Sequence, residues 1–130
     1  MDAKELKERT KAFALRVMKL ANALPKTAAG RVVGHQLLRS STSVAANYRA
    51  ACRARSKAEF IAKIGNVEEE ADESALWIEL IEESAMLPKS MVAPLKREAE
   101  ELTAIMSASR ISAKAAAANR QSKIGNRQAP

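Results

Sequence analysis

Between residues 6 and 24 the chain sets Leu6, Thr10, Phe13, Val17, Leu20 and Leu24 in alternating steps of four and three, with lysine and arginine filling positions between them. That rhythm puts all of them on one face of an α-helix and predicts a first helix over residues 2–24. Pro25 ends it, because the residue before a proline is pushed out of the helical region, and Thr27 stands where an N-cap would start the next helix. The second helix, residues 28–54, turns Val33, Leu37, Val44, Tyr48 and Ala51 to one side, with Ser40 among them. Ser56-Lys57-Ala58-Glu59 has the form of a capping box. It opens a third helix over 57–86, whose seam is Phe60, Ile64, Val67, Ala71, Ser74, Ile78, Ile81 and Ala85. "MLPKSMVAP", with Pro88 and Pro94, reads as a turn. A fourth helix, 91–118, then carries Leu95, Ala99, Leu102, Met106, Ser109, Ala113 and Ala116. Residues 119–130 lose the rhythm and read as a basic, disordered tail. Short connections between long amphipathic helices predict an all-α fold: one domain, residues 1–118, built as an antiparallel up-down-up-down four-helix bundle.

Composition supports this and removes alternatives. Four glycines and four prolines in 130 residues are too few for a fold made of many β-turns. No apolar run approaches the roughly 20 residues of a membrane span. Cys52 is the single cysteine, so no intrachain disulfide can form and a cytoplasmic setting is expected.

Charge changes the picture more. The net charge is +7, unevenly placed: from Arg9 to Ala58 no acidic residue occurs, and most acids cluster between Glu59 and Glu83. On the second helix Arg31, His35, Arg39, Arg49 and Arg53 project within about 80° of one another, with Thr42 and Ala46 between them. Such a stripe can track phosphates along a nucleic acid, or pair with the acids of the third helix within a chain or between chains. On the third helix Leu76, Leu80 and Leu87 fall opposite the core seam, beside Glu69 and Glu73. Stacked leucines on a solvent face make a patch, and patches meet partners. Acids around that patch and basic helices elsewhere predict a head-to-tail contact between copies that closes a ring.

Catalytic chemistry finds little support. A di-iron bundle needs a Glu-x-x-His motif on each of two helices, but His35 is the only histidine and no acid stands three residues before it. "GRVVG" at 30–34 lacks the Gly-Lys-Ser/Thr that completes a P-loop; its Gly30-x-x-x-Gly34 spacing suits close approach of another segment instead. No catalytic residue, metal or cofactor is therefore expected.

Leu24-Pro25, Gln36-Leu37-Leu38-Arg39, Ser43-Val44-Ala45-Ala46-Asn47 and Arg55-Ser56-Lys57-Ala58-Glu59-Phe60 follow one another in an order that resembles the bacterial four-helix-bundle proteins of ribosomal-RNA intervening sequences. Their relatives include the accessory variability proteins of diversity-generating retroelements. Many members carry Ala-Glu-Gly where this chain has Arg49-Ala50-Ala51. The resemblance implies a cytosolic bundle assembled as a ring-shaped homopentamer. For the retroelement relatives it also implies a basic surface for RNA or DNA and a reverse-transcriptase partner. Most members have no established biochemical role. The expectation is thus a non-catalytic, homo-oligomeric binding or scaffolding module that takes structured RNA or DNA. The alternative is a protein–protein adaptor ring without nucleic acid.

Overall fold

A computed structural model describes residues 1–128, with side chains through residue 122. The chain forms four helices, α1 (Ala3–Asn22), α2 (Ala28–Ala51), α3 (Lys57–Glu83) and α4 (Lys89–Gln128), and no strand among the described residues. Their starts are chemical. The Asp2 carboxylate accepts the Glu5 N–H at 2.8 Å, Thr27 Oγ1 accepts the Gly30 N–H at 3.1 Å, and Ser56 Oγ accepts the Glu59 N–H at 3.1 Å. Each cap satisfies an amide that the first helical turn leaves without a partner. Glu59 reaches back to the Arg55 N–H at 3.1 Å, one residue before the position that a capping box ordinarily uses.

Each helix packs on its neighbour in the chain, and α1 closes weakly against α4; the backbones of diagonal helices do not approach closely among the described residues. Connections of a few residues force successive packed helices to run antiparallel, so a four-helix bundle results. The α1 row is buried as a unit, with Phe13 and Val17 fully enclosed and Thr10 bonding back to the Leu6 carbonyl at 2.9 Å. The α3 row follows through Ile64, Val67, Ala71, Ser74, Ile78 and Ile81; Phe60 is half-buried against the core. Where α2 crosses α3 the core holds two hydroxyls, and Ser74 Oγ donates to Ser40 Oγ at 2.8 Å. Small residues there let the helices approach, and Ser40 Oγ in turn donates to the Leu37 carbonyl at 3.3 Å, so neither buried hydroxyl lacks a partner. Gly30 has a similar role. A Cβ built there would overlap the Pro25 carbonyl oxygen, so the α1–α2 turn lies directly on the helix backbone. At Gly34 the near neighbour is Leu24, at 3.0 Å from such a Cβ.

Several boundaries differ from those the periodicity predicts. Helix α2 stops at Ala51, not 54, which leaves Arg53 of the basic row just past its end. Helix α3 stops at Glu83, not 86, because Ala85 turns to φ 56°. The Ala85 N–H then bonds the Glu82 carbonyl and the Met86 N–H the Ile81 carbonyl, each at 3.1 Å, which is a Schellman closure. Helix α4 begins at Lys89 and runs through Pro94, which forfeits only the bond to the Ser90 carbonyl one turn from the start. It continues past 118 to Gln128, beyond the alanine-rich segment 113–118. The disordered tail expected over 119–130 is thus helical as far as Gln128; Ala129 and Pro130 lie outside the described residues. No described helix is long and apolar enough to cross a membrane.

Candidate binding surfaces

The α2 stripe divides. Arg31, His35, Arg49 and Arg53 are exposed, and none has an acidic partner among the described residues. Arg39 leaves the row. Lying on the flank of α2 nearest α3, its guanidinium reaches Glu70 at 3.4 Å and makes a close contact with Glu73. Its Nε donates to Gln36 Oε1 at 3.0 Å, so Gln36 bonds within its own helix. Glu73 also accepts Trp77 Nε1–H at 3.0 Å, which leaves it engaged within the chain.

The remaining inward-leaning acids of α3 are met by α4. Arg110 Nε donates to Glu68 Oε1 at 2.7 Å, and Lys96 Nζ lies 3.4 Å from Glu82 Oε1. The Arg110 hydrogen bond holds the Glu68 carboxyl below its ordinary pKa, against a smaller upward push from burial. These contacts engage acids on both flanks of α3 from inside the molecule. They leave its outward face to Glu69, Asp72, Leu76, Leu80 and Glu83, all exposed. Leu76 keeps 47% and Leu80 39% of its surface in solvent. Leu87 is not part of that face: it follows the α3 closure, where helical phase no longer applies, and packs half-buried against the core.

A second surface was invisible in the sequence. Between α1 and α2 runs a groove of about 270 Å³, lined by Ala14, Leu15, Ala45 and Ala46 with Lys7, Lys11 and Arg49 beside them. Two helices supply its cations, so no single helical projection could reveal the cluster. Nearer the α1–α2 turn a mostly apolar recess of about 310 Å³ has Lys26, Arg31 and His35 in its lining. Also unforeseen was Arg9. Its guanidinium forks onto Glu98 at 2.8 and 2.6 Å and reaches Glu101 at 2.5 Å, tying α1 to α4 where their packing is thinnest. Among the described residues no three His, Cys, Asp or Glu side chains gather in a way that could hold a metal ion.

Such a molecule is a small all-α bundle with a basic, grooved α1–α2 side and an acidic, partly apolar α3 face. The sequence model of the 23S rRNA-intervening sequence protein family matches residues 4–108, and the chain belongs to that family. Its fold is similar to the crystal structure of a protein of unknown function from the S23 ribosomal protein family of Bacteroides thetaiotaomicron. That likeness has 30% identity and a TM-score of 0.72, and it covers 78% of this chain and 94% of the other. Among curated proteins, none matches the chain.

Proposed function

We propose that the protein is a non-catalytic, self-assembling four-helix bundle, a homo-oligomeric scaffold that presents basic surface to structured RNA or DNA. One observation carries the reading: internal ion pairs spend much of the acidic charge facing α2 and α4, while the cations of α1 and α2 other than Arg9 and Arg39 have no ion-pair partner among the described residues. Arg39, Arg110 and Lys96 are consumed by Glu70, Glu73, Glu68 and Glu82. The exposed Arg31, His35 and Arg53 are left for an external anion. Leu76 and Leu80, exposed on one turn of α3, supply the apolar part of a contact between copies. Only four aromatic residues occur, and Phe13 and Tyr48 are buried. Base stacking therefore has few platforms, and recognition by backbone charge and helical shape fits better than reading of single-stranded sequence.

Two measurements test it. Light scattering at micromolar concentration should give a mass of several chains; a monomer would remove the scaffold reading. Binding to an RNA hairpin and a DNA duplex, followed across a salt series, should weaken steeply as phosphate contacts release counterions. Arg31→Gln with Arg53→Gln should lower the slope of log K against log salt by about one per lost contact. Binding that ignores salt, or no binding at low salt, would remove the nucleic-acid part and leave a protein adaptor.

A further inference from the structure

We infer that the distal end of α4 is a helical arm that lies in the major groove of duplex DNA, while the α2–α3 turn grips the bordering phosphates. The inference rests on the nucleic-acid reading just proposed. It names a second contact, apart from the α2 stripe, and the form of duplex that this contact takes.

Helix register shows where the arm leaves the bundle. The Lys96–Glu82 and Arg110–Glu68 pairs are separated by the same number of residues on both helices, so α3 and α4 run antiparallel without a slip. Carried on, that register sets Lys57, the first residue of α3, level with Gln121. Helix α4 continues to Gln128, so its last two turns pass about 10 Å beyond the start of α3. Packing fades over the same stretch: Ala113 is buried, Ala117 is partly buried, and every residue from Ala118 to Ser122 is exposed. The family's sequence model ends at residue 108, so this length of helix lies outside the matched segment.

Charge and side-chain size select the partner. After Glu101 the chain holds no acid, and beyond Arg110 it carries Lys114, Arg120, Lys123 and Arg127. Lys114 and Arg120 are exposed, as are Arg55 and Lys57 at the adjoining turn, and none of the four has an ion pair among the described residues. Glu59, the one acid between residues 53 and 63, is engaged by the Arg55 N–H and lies 3.9 Å from Lys63. Cations gathered from two segments repel one another, and a polyanion relieves that repulsion. Residues 112–122 contain no apolar side chain larger than alanine. A helix seated on a lipid surface needs bulky apolar residues along one face, so a membrane does not fit. A slender alanine helix does fit the B-form major groove, which is about 12 Å wide. The major groove of A-form RNA is deep and narrow and shuts side chains out. Packed helices stand about 8–10 Å apart, which sets Arg55 and Lys57 beside the arm, within reach of a strand bordering the groove.

Ala118→Pro tests the arm without changing its charge. Proline there removes the bond to the Lys114 carbonyl and breaks the helix where it leaves the bundle. Binding to a mixed-sequence DNA duplex should weaken about tenfold, whereas binding to an RNA duplex of the same sequence should hold within about twofold. Neutralising the cations of this end (Arg55→Gln, Lys57→Gln, Arg120→Gln) should lower the DNA salt slope by about one per lost contact. Unchanged DNA binding by Ala118→Pro overturns the groove contact, since a merely cationic tail tolerates the break. Losses on RNA that equal or exceed those on DNA overturn it too. If the triple variant keeps the wild-type slope, the phosphate grip is absent. A lowered slope in Arg31→Gln with Arg53→Gln would then leave the α2 stripe as the binding surface. A wild type that binds no duplex removes both readings. Should Ala118→Pro fail to fold, Ser122→Pro, placed beyond the level of Lys57, is read in its place against the same outcomes.

Discussion

Ala85 carries the one positive φ of a non-glycine residue among the described positions, and it does so to end α3. A Cβ in the left-handed region costs about 1–2 kcal/mol, whereas a glycine there gives back about 0.5–1 kcal/mol through its greater freedom in the unfolded chain. Ala85→Gly should therefore stabilise the protein by about 0.5–1 kcal/mol. In urea this appears as a higher midpoint with an unchanged slope. An unchanged or lower midpoint would mean that the closure is held by the two 3.1 Å hydrogen bonds without measurable strain. The residue also explains a boundary error. Ala85 fits the α3 seam in spacing, but periodicity reports which face a residue would occupy if the helix continued, not whether it continues. Leu87 was misplaced for the same reason, since its expected exposure assumed a helix that had already ended at Glu83.

The seams themselves were legible because each depends on one helix alone: Phe13, Leu37, Ile78 and Leu102, one from each row, are fully buried where the three-and-four spacing put them, while the row ends at Ala85 and Ala116 are exposed. Caps were legible for a related reason, as Thr27 and Ser56 act on amides three residues away. Pairings between helices were not. Arg9 and Glu98 are separated by most of the chain, and nothing local in either marks them as partners. Their fork has an expected cost when broken. Lys at position 9 keeps the charge but cannot offer two parallel N–H groups to one carboxylate, and Glu98 is mostly enclosed, with 15% of its side chain exposed. Arg9→Lys should lower stability by about 1 kcal/mol, and it should loosen α1 first. Amide hydrogen exchange would show faster opening along α1 than along α2 or α3. Equal acceleration in all helices would mean that α1 does not open separately.

Over the whole molecule, charge is arranged by layer: acids on α3 are compensated from α2 and α4 on the flanks and uncompensated on the outward face. One chain's sequence displayed the blocks of charge, but it could not show which members were spent. Arg39 and Arg49 look alike on a helical projection, yet one reaches Glu70 and the other borders an open groove. That internal compensation sets how stability responds to pH. Glu68 is held below its ordinary pKa, chiefly by the Arg110 hydrogen bond, so the folded state releases this proton more readily than the unfolded chain does. Its contribution is complete above the ordinary carboxylate range and is lost as pH falls through the lowered value. Tyr48 behaves oppositely. Burial above all, then the neighbouring Cys52, raises its phenol from an ordinary value of 10.0. The folded state thus holds a proton that the unfolded chain gives up, and stability declines as pH climbs past that ordinary value. Urea midpoints should accordingly fall at both ends of the pH scale. Glu68→Gln should flatten the acid limb alone, and Tyr48→Phe the alkaline limb alone. If Glu68→Gln left the acid limb as steep as before, the Arg110 pair would contribute nothing to the acid dependence of folding.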